Sequence, residues 1–347
     1  MSDAPTDAHG REMATKAEMT EIQAMSVKSL TACLLNISEA RRWKVVETVA
    51  NAALNSNSAG ECKAAVLNIF NDIDYNRSVI TIVAPLTQLI ESVTNACVVA
   101  FQHINLADHS GGHPRLGAVD LIPIHPISED VTLQDCGKAA QEIAKELSSK
   151  VPGSSYFLFG HADHLDRGLV KRRKELKWFS GKSKMDYSTL ESDIGCSPTS
   201  RFGLTGIGAI PYVMNCNVTM ESTDLKLGRH IAKKIRGSTP GGLPGVQTMA
   251  FPHEGNIEIA CNVESFNSEK LPLGQNMTNF VKTFGGCFYT SGKTIQERVK
   301  DLASKESVRV HDAAIIGFRP EEARELAIEA LNSGRYDYWK YRTQRQM

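Results

Sequence analysis

The chain has 347 residues, 41% of them hydrophobic, and its 39 Lys and Arg are balanced by 39 Asp and Glu. That length can bury one large core or two ordinary ones, and the balanced charge excludes a general attraction to nucleic acid or to an anionic membrane. No apolar run approaches the roughly 20 residues needed to cross a bilayer and no signal-peptide core is present, which points away from a membrane-spanning or exported chain.

Residues 1–28 are polar and mixed in charge and are expected to form a flexible tail. A strand is predicted from Leu30 to Ile37, then a helix from Arg42 to Ala53 with Val45, Val46 and Val49 on one face. Strands from Ala64 to Phe70 and Val79 to Val83 flank the turn-rich Asn71–Asn76. A helix from Leu86 to Ile104 carries Leu89, Ile90, Val93 and Cys97 at helical spacing, and a strand from Ala118 to Ile124 completes βαββαβ. A helix from Leu133 to Leu147 and a strand from Ser155 to Phe159 add an αβ unit.

Further on, a strand is expected from Ile210 to Thr219 and a helix from Asp224 to Ile235. Strands follow from Gln247 to Phe251 and Ile257 to Val263, then helices from Leu273 to Thr283 and Thr294 to Ser304. A strand from Val308 to Phe318 and a helix from Pro320 to Leu331 end the pattern, so βαββαβ appears twice. The fold class is therefore α/β (α+β), with two ferredoxin-like halves over residues 29–210 and 211–331 and a tail over 332–347. Eight cysteines scattered singly, with no C-x-x-C pair, fit a reducing compartment and a cytoplasmic location.

Between the second helix and the fourth strand, Asp108 to Asp120 crowds two histidines, Arg115 and two carboxylates onto a loop broken by Gly111, Gly112 and Pro114. His109 and His113 would share a zinc only on a helix, which these residues oppose, so no metal is expected. Histidine suits proton transfer near neutral pH, and the Arg115 fork suits a carboxylate, which points to acid/base chemistry on an anionic substrate. Nucleotide motifs fail: Ser291-Gly292-Lys293-Thr294 lacks its earlier glycine, and Gly203-Leu204-Thr205-Gly206-Ile207-Gly208 leads into a strand. The run Lys171-Arg172-Arg173-Lys174 reads as a solvated helix face or an attractor for an anionic tail, with nucleic acid the weakest alternative.

The loop His109-Ser110-Gly111-Gly112-His113-Pro114-Arg115-Leu116-Gly117-Ala118-Val119-Asp120 resembles the H-K-G-E-H-P-R-x-G-A-x-D signature of the formiminotransferase domain. Asn36-Ile37-Ser38-Glu39-Ala40 is similar to the family's N-F-S-E-G, Asn76-Arg77 to its N-R-T strand, Phe159-Gly160 to its Y-G-E-A segment, and Ile316–Pro320 to its closing junction. The resemblance covers residues 30 to 331. It implies two α/β subdomains with folate and formiminoglutamate between them, and transfer of a formimino group between N-formimino-L-glutamate and tetrahydrofolate as co-substrate.

By the same resemblance His113 is the catalytic acid/base, and Asn36, Ser38, Glu39, Asn76, Arg77 and Arg115 are candidate binding residues. Gly195, Cys196, Ser197, Pro198, Thr199, Ser200, Arg201, Phe202 and Gly203 fall where the family places its folate-contacting loop. The resemblance further implies a homodimer in histidine degradation and one-carbon metabolism, without a cyclodeaminase domain. Gly112 stands where the signature has glutamate, Ala40 where it has glycine and His161 where it has glutamate. A catalytically impaired folate-binding or partner-binding relative is the alternative reading.

Overall fold

The computed structural model describes residues 28–55, 64–178, 186–271 and 277–341. The expected tail over 1–28 lies almost wholly outside the described residues, as does the end of the tail over 332–347. The first half runs β1 (Leu30–Ile37), α1 (Trp43–Ala52), β2 (Ala65–Asp72), β3 (Arg77–Pro85), α2 (Leu86–His103) and β4 (Val119–Pro126). It continues through α3 (Leu133–Lys150), β5 (Ser155–Gly160), α4 (Leu169–Glu175), β6 (Ile194–Gly195) and β7 (Thr205–Ala209). These strands form one sheet in the order β2-β3-β1-β4-β7-β5-β6. The first four pair antiparallel, whereas β7 lies parallel to both β4 and β5.

The second half runs β8 (Val213–Met220), α5 (Leu225–Ile235), β9 (Val246–His253), β10 (Asn256–Glu264), β11 (Phe266–Asn267), β12 (Phe280–Lys282), β13 (Cys287–Thr290), α6 (Gly292–Ser304), β14 (Ala314–Ile316) and α7 (Pro320–Ser333). Its main sheet is ordered β14-β8-β10-β9, and β11-β13-β12 form a small separate sheet. In both main sheets the fourth strand of the βαββαβ sequence lies beside the first, then come the third and the second.

Local chemistry sets the helix ends. Thr132 and Asp135 exchange capping bonds at the start of α3, Asp224 Oδ1 accepts from the amides of Lys226 and Leu227, and Ser291 Oγ accepts from Thr294 N. Pro320 opens α7, and Gly334, at φ 69°, closes it in the left-handed conformation.

Alternation along the strands decides which face each side chain meets. Leu35, Ile37, Ile80, Ile82, Ile122 and Ile124 are buried against α1–α3, each worth about 1.5–3 kcal/mol of transfer free energy. On the other face α7 lays Ala323, Ala327 and Ala330 over Leu30, Ala32, Leu67 and Val83, while Leu176 and Trp178 cover Leu121, Phe157 and Phe159. The second sheet buries Cys216, Val218, Ile257 and Ile259 against α5 and α6, which turns Asn217, Thr219 and Glu258 to its opposite face.

The structure departs from the predicted elements in four places. Part of the helix expected over Leu273–Thr283 lies outside the described residues, and the rest is a short 3-10 turn followed by β12, because Phe280 and Val281 pair with the unpredicted β13. The strand expected over Ile210–Thr219 starts at Val213 as β8, because Pro211 interrupts pairing, and Thr205–Ala209 forms its own strand. The strand expected over Val308–Phe318 is regular only over Ala314–Ile316; Val310 bridges Met220 across an irregular His311–Ala313. Beyond α7, Tyr336 O accepts from Val66 N and Trp339 is buried, so the described part of the C-terminal tail is tied to the first sheet.

Candidate active site

The loop 109–118 crosses one end of the first sheet and is fastened from three directions. Asn76, at φ 50°, accepts from Ala40 N at 2.9 Å and donates through Nδ2 to Ser110 O at 3.1 Å. His109 Nε2 lies 2.8 Å from Asn76 O, and Arg115 Nη2 donates to His109 O at 2.9 Å. Gly111 admits no side chain, since a Cβ there would meet Tyr75 O at 2.1 Å. Gly112 is exposed, and an added Cβ would meet nothing closer than 3.9 Å.

His113 is partly buried at the centre of this arrangement. Its Nδ1 lies 2.7 Å from Pro114 O, and Arg77 Nη1 lies 2.9 Å from Nδ1 and 3.1 Å from Nε2. A carbonyl oxygen only accepts and a guanidinium only donates, which assigns the ring as Nδ1–H to Pro114 O with the Nε2 lone pair toward Arg77. Burial, then the positive charge of Arg77, push the imidazole down to about 3, against the opposing pull of Asp120. The ring is therefore held neutral, with its Nε2 lone pair engaged by Arg77 Nη1.

Arg77 itself is oriented by Asn36, whose Oδ1 accepts from Nε at 3.1 Å and Nη2 at 2.5 Å. Asp120 Oδ2 lies 3.5 Å from Arg77 Nη2, and its Oδ1 accepts from the amides of Leu116 and Gly117. Burial lowers the Arg77 affinity for its proton and Asp120 restores part of it.

Sequence reasoning did not single out Tyr75 or Trp178 and took Arg173 only as one member of the basic run, yet all three surround His113. The Tyr75 ring centre is 5.4 Å from that of His113, and the Trp178 ring approaches edge-on at 5.9 Å. The Arg173 guanidinium lies 4.4 Å from the Trp178 ring centre, and burial lowers it to about 10. The basic run is thus not a solvated face throughout. Arg172 is buried, donating to Leu158 O at 3.0 Å and pairing with Asp193 at 2.6 Å and Glu175 at 3.1 Å. A basic run on a short helix, Leu169–Glu175, followed at once by the apolar Leu176 and Trp178 is the signal that could have separated these residues.

The second sheet reaches the same place. Phe251 on β9 meets Tyr75 edge-on at 6.0 Å, and the buried Glu258 on β10 is held above its usual carboxylate range by burial. The residues around His113 thus lie where the polar face of the second sheet approaches the β2–β3 turn.

Other predicted residues support the frame. Ser38 Oγ donates to Gly117 O at 2.7 Å, and Glu39 Oε1 accepts from the amides of Arg41 and Arg42 at 3.0 Å just before α1. Arg115 holds the loop through backbone carbonyls. Across Gly195–Gly203, Cys196, Ser197, Thr199, Ser200 and Arg201 are exposed and Pro198 is buried, while Phe202 packs edge-on against Phe101 at 5.3 Å. Arg201 O and Phe202 O accept from Leu106 N and Ala118 N, tying that segment to the His113 loop. Gly203, at φ 68°, would place a Cβ 2.0 Å from Leu116 O. Near His161, Asp163 is gripped by Arg167 at 2.7 Å and 2.8 Å, which closes the turn after β5.

Residues 30–210 match the formiminotransferase domain, N-terminal subdomain. The chain belongs to the formiminotransferase family. It is 30% identical to a formiminotransferase cyclodeaminase-like protein of Arabidopsis thaliana over 88% of this chain and 98% of that one. It is also 27% identical to the glutamate formimidoyltransferases of Thermoplasma acidophilum and Streptococcus pyogenes, covering 85% and 89% of this chain and 89% and 95% of theirs. Within the formiminotransferase match lie His113, Arg77, Asn36, Asp120, Arg173 and Trp178; Phe251 and Glu258 come from beyond it.

Proposed function

We propose that the chain is a folate-dependent transferase that moves a formimino group between N-formimino-L-glutamate and N5 of tetrahydrofolate, with His113 as acid and base. The observation that supports this most is the placement of the His113 ring, with Nδ1 2.7 Å from Pro114 O and with Arg77, Arg173 and Asp120 around it. As N5 attacks the amidine carbon, Nε2 gives up its contact with Arg77 Nη1 and takes the N5 proton while the new C–N bond forms. The imidazolium then returns that proton to the glutamate nitrogen as the old C–N bond breaks, and glutamate leaves. Asp120 and the anionic substrate stabilise the transient imidazolium beside Arg77.

The exposed residues of Gly195–Gly203 are proposed to contact the folate, and the protein to act as a cytoplasmic homodimer. Purified protein mixed with formiminoglutamate and tetrahydrofolate tests the reading: formation of 5-formimidoyltetrahydrofolate and glutamate supports it, and no transfer refutes it. Gly112 favours a second reading, a relative that binds folate with impaired turnover, because the signature carboxylate is missing beside His113. Tight folate binding without turnover would support that alternative.

A further inference from the structure

We propose that Arg173 anchors a carboxylate of the amidine-bearing amino acid, which makes it a specificity-determining residue for the donor substrate. The inference rests on the transfer reading above and goes beyond it in assigning a residue to one end of the donor. Three cooperating features carry it. Arg77 has its donors committed: Nε and Nη2 to Asn36, Nη1 to His113, with Asp120 as its ion partner. Arg173 is different, because its guanidinium sits over the Trp178 ring and makes no hydrogen bond to any described residue. A guanidinium carries five N–H donors, and a half-buried one without acceptors is costly unless a ligand supplies them.

The local charge agrees. Arg173 faces one carboxylate, Asp120, which it shares with Arg77 and whose Oδ1 already serves two backbone amides, whereas Arg77 also has Asp72 nearby. Arg173 thus has no carboxylate of its own, a place an incoming carboxylate would fill.

Geometry selects the donor over the folate. Trp178 touches both the His113 ring, at 5.9 Å, and the Arg173 guanidinium, at 4.4 Å, so an anion on Arg173 lies one aromatic ring from the proposed reacting atoms. In formiminoglutamate the carboxylates lie within a few bonds of the amidine. In a reduced folate an aminobenzoyl spacer carries the glutamate well away from N5. A short diacid can therefore reach Arg173 while reacting at His113.

The test is steady-state kinetics on the full chain for wild type, R173K and R173Q. The donors are N-formimino-L-glutamate and two analogues that each lack one of its carboxylates. R173Q is expected to raise KM for formiminoglutamate roughly 10- to 100-fold with the folate KM unchanged, and R173K to retain part of the affinity. One truncated donor should be insensitive to either substitution, because it lacks the carboxylate that Arg173 holds. Equal penalties on all three donors, or an unchanged donor KM in folded R173Q, overturn the proposal; should R173Q not fold, R173K across the three donors decides it.

If wild type transfers nothing, the transfer reading fails by itself. Calorimetric titration with N-formimino-L-glutamate then judges the anchor separately. Binding to wild type that weakens in R173K supports it, whereas no binding to wild type, or equal binding to both, overturns it.

Discussion

Replacing Arg77 by glutamine tests what keeps His113 neutral. The guanidinium nitrogen lies 2.9 Å and 3.1 Å from the two ring nitrogens, and it is the largest influence after burial in holding the imidazole down at about 3. A unit charge at about 4 Å is worth about 4 kcal/mol at an effective dielectric near 20. Each 1.36 kcal/mol corresponds to about a tenfold change in proton affinity, so removal should carry His113 a long way back toward the ordinary histidine range. Asp120, freed from its partner at 3.5 Å, pulls in the same direction. The assay is an NMR pH titration of the imidazole nitrogens, with His113 assigned by its loss in H113N. An R77Q protein that folds and shows His113 still unprotonated down to the wild-type midpoint refutes the reasoning, and leaves burial alone as the cause.

Gly112→Glu should fold normally, within about 0.5 kcal/mol of wild type by urea unfolding, because an added Cβ there finds open space and the site is exposed; it should raise kcat if the missing carboxylate limits turnover. Gly203→Ala should cost about 2 kcal/mol or more, since φ is 68° and the Cβ would collide with Leu116 O at 2.0 Å; thermal melting checks this. Arg172→Ala should cost about 2–3 kcal/mol, because the guanidinium is buried and its partners Asp193 and Glu175 keep some contact with water.

The last of these concerns pH. His113 is held far below its unfolded value of 6.5, so between pH 6.5 and about 3 the unfolded chain binds more protons than the folded one. Stability should therefore fall as pH drops through that window, and urea midpoints should show H113N losing less stability there than wild type.

The periodic elements of both halves could be read from the residues because their apolar spacing is set by one neighbouring layer, as in β1, α2, β4 and α6. The misreadings fall where tertiary pairing overrides local pattern. Phe280–Lys282 looks helical until β13 supplies a partner, and Val308–Phe318 looks like one strand until its register against β8 forces an irregularity. In the site, His113 and Arg115 were visible because their loop is short and crowded. Their roles were not, since the acceptor that fixes the His113 tautomer is a backbone carbonyl, and Arg115 turns to carbonyls of its own loop. Trp178 and Phe251, and the place of Arg173 beside His113, were hidden because nothing in the spacing of residues 75, 113, 173 and 251 says that they meet.

The central claim is that His113 moves the proton while other groups hold the substrates. A single-turnover measurement of formimino transfer, paired with a folate titration, on wild type and H113N tests it most directly. The expected result is transfer by wild type, and in H113N an unchanged folate Kd with transfer slowed about 10²- to 10⁴-fold. Transfer by H113N at the wild-type rate, or a loss of folate binding that matches the loss of transfer, would contradict it.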